Sequence, residues 1–456
     1  MPSSLAFVLT CAFIAFLFAR DSRERPNVTG ALWIPVLWLL LICSRSVSEW
    51  LALAGFQMGG VSLEAGSPVD AVAYFALIAA GVSVLVKRRV RLGEIIRNNR
   101  LFAIFFIFCF IAILWSDFPF VAFKRWIKSF GHPIMTLILF TEPDAEEAFM
   151  RLMKRCAYVL IPVSILFIKY FPAWGRGFDQ WSGAAVNFGI TTDKNILGFD
   201  CLIFGFFFFW YLLQVRQWES GKAKRNELIL CALFLGMIFW LLKMAHSSTS
   251  LASLLVGIAV VIFLGLRFVK EKYIGFYVTA AVVLVLFAQF AFGIFDLGVD
   301  MLGKDPTLTG RTDLWKILLA SNINPLFGAG FESFWLGERR EKLWDIYWWH
   351  PNEAHNGYLE AYLNLGLIGL ALLLLLFYYA YRQGRKMLHV NFEFARFRLG
   401  FLAALMLYNA TEAAFKALHP LWFIFLITVM VYPKRQVATA EESLAEEDLI
   451  YAQKEI

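Results

Sequence analysis

The sequence predicts an all-α protein that crosses a membrane many times, and three observations lead to this class. Hydrophobic residues make up 60% of the 456 positions, and Phe alone occurs 47 times. Charged residues make up 17%, against about 25% in an ordinary soluble domain. Apolar runs of roughly membrane-spanning length recur along the chain. This composition excludes a soluble enzyme, a disordered chain and a secreted disulfide scaffold.

About 12 or 13 transmembrane helices are expected, because a bilayer core about 30 Å thick needs about 20 apolar residues per helix. The predicted spans are residues 2–19, 31–43, 69–86, 101–115, 119–140, 156–170, 196–214, 228–245, 250–266, 274–293, 363–381, 399–415 and 418–432. The run 31–43 is short, and the lower number applies if one short run does not cross.

The positions of Lys and Arg predict the orientation. Alternate gaps between the spans, beginning with residues 20–30 and 87–100, hold most of the 42 basic residues. By the positive-inside rule these gaps are cytoplasmic, and the N-terminus faces outward. The net charge of +7 therefore reflects topology, and nucleic acid is not an expected partner.

The chain divides into four segments. Residues 1–293 form ten membrane helices with short loops, 294–362 a long outward loop, 363–432 the last membrane helices, and 433–456 a polar cytoplasmic tail. Loops longer than about 15 residues are usually functional or disordered. The long loop is aromatic and has helical apolar spacing, so we expect it to fold, to be partly helical and to carry the chemistry.

One candidate for catalysis is His355, in the segment 351–358 that leads into the run at 363. Asn352 is predicted as a helix N-cap, which would put His355 in the first turn. The helix dipole disfavours imidazolium there, and a neutral imidazole suits a general base. Glu353 could orient His355 or act as the base itself. The alternative is a surface histidine at a loop–helix junction.

Basic and aromatic side chains on the outward side are candidates for substrate binding. The outward cations are Lys124, Arg125, Lys128, Arg176, Lys194 and Arg311. Several fixed cations suit a diphosphate better than a carboxylate, and the alternative for each is contact with lipid headgroups. The aromatic residues are Trp315, Trp335, Trp344, Tyr347, Trp348, Trp349, Tyr358 and Tyr362. Flat aromatic rings suit stacking on the faces of sugars. The alternative is that these residues form an aromatic belt at the membrane interface and pack in the core of the loop.

Metal and nucleotide motifs are absent from the sequence. There is no H-E-x-x-H, no outward D-x-D and no Walker loop, and His350 and His355 are wrongly spaced for two ligands on one helical face. We therefore expect no metal and no cofactor.

The order of several motifs resembles a known superfamily. His355-Asn356, nine residues and then Gly366-Leu367-Ile368-Gly369 resembles the signature of the bacterial O-antigen ligase and polymerase superfamily. Further segments resemble its exopolysaccharide-polymerase branch. They are residues 32–35, 115–119, 123–128, 191–198, 310–315 and 324–330.

This resemblance implies a multi-pass glycosyltransferase of the C-type class in the bacterial inner membrane, with its active site facing the periplasm. Its donor would be an undecaprenyl-diphosphate-linked oligosaccharide, and its acceptor a glycan. By this resemblance the essential histidine would be His355. With Glu353, a candidate from its place beside that histidine, and Arg311, it forms the predicted catalytic set. Arg176 and Arg311 match the arginines near the diphosphate. The remaining candidates for substrate binding are Lys124, Arg125, Lys128, Lys194, Asn356 and Tyr358.

Three activities fit this description. A polymerase joining repeat units of an exopolysaccharide or O-antigen is favoured by the motifs, and a ligase moving a finished glycan to a lipid A core is the alternative. A flippase for lipid-linked oligosaccharides is the second alternative, but it predicts cations at mid-membrane depth and internal repeats. Membrane lipids, and flippase and chain-length regulator proteins, are the further partners considered.

Overall fold

The computed structural model describes residues 1–56, 66–178, 183–267, 269–275, 277 and 311–432. Within these ranges the chain is helical apart from one two-stranded antiparallel hairpin and its connections. The predicted all-α class of polytopic membrane protein is confirmed. The predicted cytoplasmic tail, 433–456, lies outside the described residues.

The elements follow one another along the chain as helices of very different lengths, from four residues to 31. The first are α1 (Ser3–Arg23), α2 (Trp33–Ile42), α3 (Val47–Leu53), α4 (Pro68–Lys87), α5 (Leu92–Asn98), α6 (Arg100–Ile111), α7 (Pro119–Phe140), α8 (Ala145–Tyr170) and α9 (Pro172–Gly175). The hairpin strands are β1 (Arg176–Phe178) and β2 (Ala185–Asn187). The rest are α10 (Lys194–Gln217), α11 (Lys222–Ala245), α12 (Ser248–Leu264), α13 (Arg311–Leu319), α14 (Gly337–Ile346), α15 (Gly357–Met387), α16 (Phe392–Thr411) and α17 (Pro420–Val429).

The number of membrane spans stays a prediction. Among the described residues, five helices are long and apolar enough to cross a bilayer: α1, α4, α10, α11 and α15. The short predicted span 31–43 belongs to a helix pair that bends by 65° before α3, and this pair counts as a sixth span if it crosses as one. Helices α6, α12 and α17 are apolar but shorter. The predicted span 274–293 falls mostly outside the described residues.

The core of the bundle lies around α10. Its aromatic side chains Phe204, Phe206, Phe207 and Phe208 are buried on all sides. Helices α12 and α16 pack beside it, and Gly257 and Gly400 face each other there. A Cβ on Gly400 would lie 2.9 Å from the Gly257 carbonyl oxygen, so small residues let these two helices approach closely.

The gaps predicted to be cytoplasmic meet at one end of the bundle. Arg88 pairs with Glu142, Arg151 pairs with Asp21 at 2.8 Å, and the Asn391 amide donates to Glu146 at 2.8 Å. Because α7 ends at this side, its start at Pro119 lies at the opposite end, where the long loop is attached. The two sets of gaps are thus separated as alternating topology requires.

The described part of the long loop folds, as predicted, around a small core of its own. That core consists of Leu314, Leu318, Ala329, Phe334, Leu343, Ala354 and Leu363. The loop is shorter at its end than predicted, because the following helix begins at Gly357 and not at residue 363. It is fixed to the membrane helices by a 2.6 Å contact between the hydroxyls of Ser116 and Ser333.

The G-x-x-G motif is where the loop docks. Gly366 interrupts α15 with φ 66° and ψ −168°, a conformation that favours glycine. The freed backbone pairs with the loop, since Ala329 N donates to Leu363 O at 2.9 Å and Leu367 N donates to Pro325 O at 2.9 Å. The segment 324–330 therefore packs directly on the broken helix and orients the rest of the loop.

Candidate active site

His355 lies between two carboxylates that are distant in the sequence. Its Nδ1 is 2.9 Å from Oε1 of Glu353 and 3.1 Å from Oε2 of Glu412. The His355 side chain is 22% exposed, and that of Glu412 is 9% exposed. Both carboxylates contact the same ring nitrogen, which leaves Nε2 as the nitrogen that can exchange a proton with a substrate.

Each carboxylate also has a cationic partner. Lys416 Nζ contacts Oε2 of Glu353, and Nη2 of Arg311 donates to Oε1 of Glu412 at 3.1 Å. The other terminal nitrogen of Arg311 donates to the Thr411 carbonyl at the end of α16. Helix C-termini leave such carbonyls unpaired and favour cations. Arg311 therefore positions Glu412, and through it His355. We call these five residues, Arg311, Glu353, His355, Glu412 and Lys416, the histidine cluster.

The predicted cap of the helix that follows is wrong by four residues. Asn356, not Asn352, is the N-cap, and its Oδ1 accepts from Tyr358 N and Leu359 N, each at 3.0 Å. His355 consequently precedes the helix, with φ 49°, and does not lie in its first turn. Asn356 Nδ2 donates to Ala410 O at 3.2 Å, so this residue joins α15 to the end of α16.

The charges of the cluster reverse the expectation of a neutral imidazole. Burial disfavours the imidazolium, but hydrogen bonds and charge from Glu353 and Glu412 outweigh it and raise the pKa of His355 to about 9. Burial likewise opposes the charge on Glu353, yet Lys416 and His355 hold the pKa of that carboxyl well below its usual range. The resting cluster is a network of ion pairs at neutral pH, and His355 must lose a proton before it can act as a base.

Glu353, His355 and Glu412 are also close enough together to be candidate ligands of one metal ion. One ligand atom from each lies within 4.8 Å of the others. The sequence contained no spaced pair that predicts this group, because Glu412 is 57 residues from His355. Both carboxylates already carry a cation, Lys416 or Arg311, so a divalent ion would have to displace existing ion pairs.

The other predicted residues lie at different distances from the cluster. Lys194 is the first residue of α10, beside Asp193. Burial raises the pKa of Asp193, and the charges of Glu412 and Glu353 raise it further. Tyr358 donates its hydroxyl to Met406 O at 2.9 Å. Arg176 lies on the hairpin, where its Nε donates to Ile168 O at 2.7 Å; within the described ranges the contacts of the cluster do not extend to it.

The three cations at the start of α7 point in different directions. Arg125 donates to the backbone carbonyl of Glu332 in the long loop. Lys124 lies 5.0 Å from the ring of Phe120, and Lys128 lies 5.9 Å from that of Tyr74. Arg125 thus contacts the described part of the long loop.

Glu412 and Lys416 are the members of the cluster that were not predicted. They were assigned to the predicted span 399–415 and the gap after it, but α16 ends at Thr411 and both lie in the connection 412–419. The sequence signal that could have identified them is their position at the edge of an apolar run. Ionisable side chains there cost free energy to place near the membrane, and they are commonly functional.

Comparison with known proteins identifies the family. The sequence pattern of the O-antigen ligase family matches residues 232–374. The exopolysaccharide production protein ExoQ of Rhizobium meliloti is 30% identical over 326 residues, which cover 67% of this chain and 69% of that protein. The chain belongs to the O-antigen ligase family. A Rickettsia conorii protein provisionally named as a polysaccharide ligase is 29% identical over 244 residues, or 49% of this chain and 57% of that protein.

Membership of the O-antigen ligase family confirms the resemblance seen in the motifs. The protein is a multi-pass membrane enzyme of the O-antigen ligase type that acts in polysaccharide synthesis. The matched residues include Arg311, Glu353, His355 and Gly366 but end before Glu412 and Lys416. The O-antigen ligase pattern therefore covers the loop side of the histidine cluster and not the α16 side.

Proposed function

We propose that the protein is a glycosyltransferase that polymerises polyprenyl-diphosphate-linked oligosaccharide repeat units of an exopolysaccharide or O-antigen at the periplasmic face of the inner membrane. The observation that carries this proposal is the histidine cluster, in which the half-buried Glu353 and the buried Glu412 both contact Nδ1 of His355. Such a carboxylate–histidine arrangement fixes the ring and raises its basicity, as in hydrolases that activate a hydroxyl.

The reaction is a single transfer. The bond between C1 of the donor sugar and the diphosphate oxygen breaks, and its electron pair leaves with the polyprenyl diphosphate. A new bond forms between C1 and an acceptor hydroxyl oxygen, whose proton passes to Nε2 of His355. Glu353 and Glu412 stabilise the imidazolium that results, and alignment of the hydroxyl with C1 lowers the barrier further.

A polymerase is favoured over a ligase because the relative with the larger coverage is named for exopolysaccharide production. The test supplies purified protein in lipid nanodiscs with a polyprenyl-diphosphate oligosaccharide alone. A polymerase produces a ladder of products that differ by one repeat. If no ladder forms, and adding lipid A core yields a single glycosylated band, the protein is a ligase. If neither product forms, the protein is reconstituted in liposomes. Movement of the lipid-linked oligosaccharide from one leaflet of the liposome membrane to the other would then identify a transporter.

Chelation should leave the activity unchanged. The carboxylates of the histidine cluster are already paired with Arg311 and Lys416, so we expect these side chains, and not a divalent ion, to balance the charge. The measurement is ladder formation before and after treatment with EDTA. Loss of activity that one divalent metal restores would instead place an ion between Glu353, His355 and Glu412.

The pKa of His355 predicts the pH dependence. A base acts in its neutral form, so kcat/KM should rise with pH and level off above about 9. Glu412→Gln removes one charge that raises this pKa, so the midpoint of its rise should move to lower pH. The measurement is the pH profile of both proteins. A rate that falls as the pH passes 9 would assign the acting form to the imidazolium.

A further inference from the structure

A cavity lies at the end of the bundle that is predicted to be cytoplasmic, opposite the end that carries the long loop. Its volume is about 460 Å³, within the range of about 300–1,000 Å³ that ligand sites occupy. It is formed where α1 ends and α11 begins, with further walls from α8 and α10. The cations that line it are Arg20, Arg23 and Arg151. No step of the proposed transfer uses this cavity.

Two carboxylates also line the cavity, and cations of the protein hold both of them. Glu227 is 3% exposed. Its Oε2 lies 3.2 Å from Nζ of Lys154, and its Oε1 contacts Arg20. Glu24 contacts Arg20 and Arg151. These ion pairs neutralise the carboxylates, so the lining does not offer a free acid to a cationic ligand.

The charges around the cavity leave one cation in excess. Beneath the lining, Asp21 is 2% exposed and pairs with Arg151 and Arg155, each at 2.8 Å. We call the following nine residues the second charge cluster: Arg20, Arg23, Arg151, Lys154, Arg155, Asp21, Glu24, Glu147 and Glu227. Five cations and four carboxylates give it a net charge of +1. A charge partly withdrawn from water is stabilised by a counter-charge.

Arg23 is the cation of this cluster without a carboxylate. It lies in the last turn of α1, is exposed and lines the cavity. Within the described ranges its guanidinium has no ion-pair partner. A guanidinium presents five N–H donors in a planar fork, which binds phosphate oxygens in pairs. The excess charge is therefore available to an anion that enters the cavity.

Apolar side chains continue from the cavity along α1 and α11 toward the middle of the bundle. Both helices pack on α8, where the ring of Tyr158 lies 5.9 Å from that of Phe18 in α1 and 5.6 Å from that of Phe234 in α11. Helix α8 thus forms a floor between them. On the outer faces, Phe16 is 63% exposed and Ile229 is 59% exposed. These side chains lie about one helical turn deeper than the cavity, where acyl chains would lie.

We propose that the cavity binds the headgroup of an anionic phospholipid, with Arg23 contacting the phosphodiester and the acyl chains lying along α1 and α11. A phosphodiester carries one negative charge, which balances the second charge cluster. Basic pockets between membrane helices on the cytoplasmic side bind anionic headgroups. Trp218 lines the same cavity and is 42% exposed, and tryptophan is enriched at headgroup depth. The lipid site does not depend on the proposed transfer.

The bound lipid would attach α1 more firmly to the bundle. In the apolar window of α1, 11% is buried inside the protein, so this helix has little packing of its own. A phospholipid between α1 and α11 adds contacts to both helices. A ligand that binds the folded state raises its stability in proportion to the logarithm of its concentration. Phosphatidylglycerol should therefore raise the unfolding temperature in detergent as its concentration increases.

Native mass spectrometry of the purified protein tests the site directly. Phosphatidylglycerol, phosphatidylethanolamine and glycerol 3-phosphate are each titrated into the protein in detergent. Phosphatidylglycerol should bind most tightly, because the ammonium of ethanolamine cancels the charge of its phosphate and glycerol 3-phosphate has no acyl chains. Equal binding of the two lipids would overturn the assignment to an anionic headgroup. Equal binding of glycerol 3-phosphate would instead assign the cavity to a soluble phosphate.

Arg23→Ala should weaken phosphatidylglycerol binding by about fivefold, the factor expected for one basic residue at an anionic membrane surface. The variant should fold, because Arg23 takes part in no ion pair of the described residues. Arg225→Ala is the matched control. Arg225 is exposed in the first turn of α11 and carries the same charge, but it is not among the residues that line the cavity. Its removal should leave binding at the wild-type level.

Equal weakening in Arg23→Ala and Arg225→Ala would overturn the site, because it would show general attraction of lipid to a basic surface. A photoreactive phosphatidylglycerol gives a second measurement in the wild-type protein. It should label peptides of α1 and α11, and labelling without either helix would contradict the proposal. Lipid bound by a protein that forms no ladder would support the site and count against the polymerase. Ladders without specific lipid binding would do the reverse.

Discussion

Replacing His355 by asparagine should lower polymerisation by about 10²–10⁴-fold, the usual contribution of a general base. Asparagine tolerates the left-handed φ of 49° at this position but cannot take up the acceptor proton. The fold should survive, because the ion pairs Glu353–Lys416 and Glu412–Arg311 do not involve His355 and remain in the variant. Neither carboxylate is left buried without a cation. The measurement is the initial rate of ladder formation, with thermal unfolding in parallel.

His350→Asn is the matched control for this variant. His350 lies in the same loop with nearly the same backbone angle, φ 50°, but it stacks on Trp344 at 4.7 Å and is exposed. The same substitution there should leave the rate near that of the wild type. Glycan chains of normal length made by His355→Asn would remove His355 from the mechanism and leave Glu353 as the candidate base.

Gly366→Ala should prevent the long loop from docking and abolish activity with it. An alanine Cβ at this position would lie 2.2 Å from the backbone of Leu326, which has no side-chain freedom to move aside. The backbone angles of Gly366, φ 66° and ψ −168°, lie in a region that essentially only glycine adopts, and holding a residue with a Cβ there costs about 1–3 kcal/mol. The overlap adds to this cost. We expect a lower unfolding temperature in detergent and no ladder.

Gly236→Ala provides the comparison. Gly236 lies within α11, and a Cβ there meets nothing within 4 Å. In a helix interior alanine is favoured over glycine by about 1 kcal/mol, so this variant should be as stable as the wild type or more stable. Equal unfolding temperatures and equal rates for Gly366→Ala and the wild type would show that the break in α15 is not needed for docking.

Prediction from the sequence succeeded where the information is local. Long apolar runs predicted the membrane helices, and the pattern from His355 to Gly369 predicted the family, which the comparisons confirm. Helix ends were less predictable. Asn352 and Asn356 are equally suitable as helix N-caps by residue type. The hydrogen bond from the Asn356 side chain to the Ala410 carbonyl at the end of α16 favours Asn356 as the N-cap.

The sequence by itself determined the membrane class, the family and three residues of the cluster, namely Arg311, Glu353 and His355. Tertiary structure alone decided that Glu412 and Lys416 complete it, since Lys416 is 63 residues from Glu353. The physical reason is that no local pattern records which helix ends will pack together. Only the packing of α15 against α16 brings these carboxylates and cations close enough to fix the charge of His355.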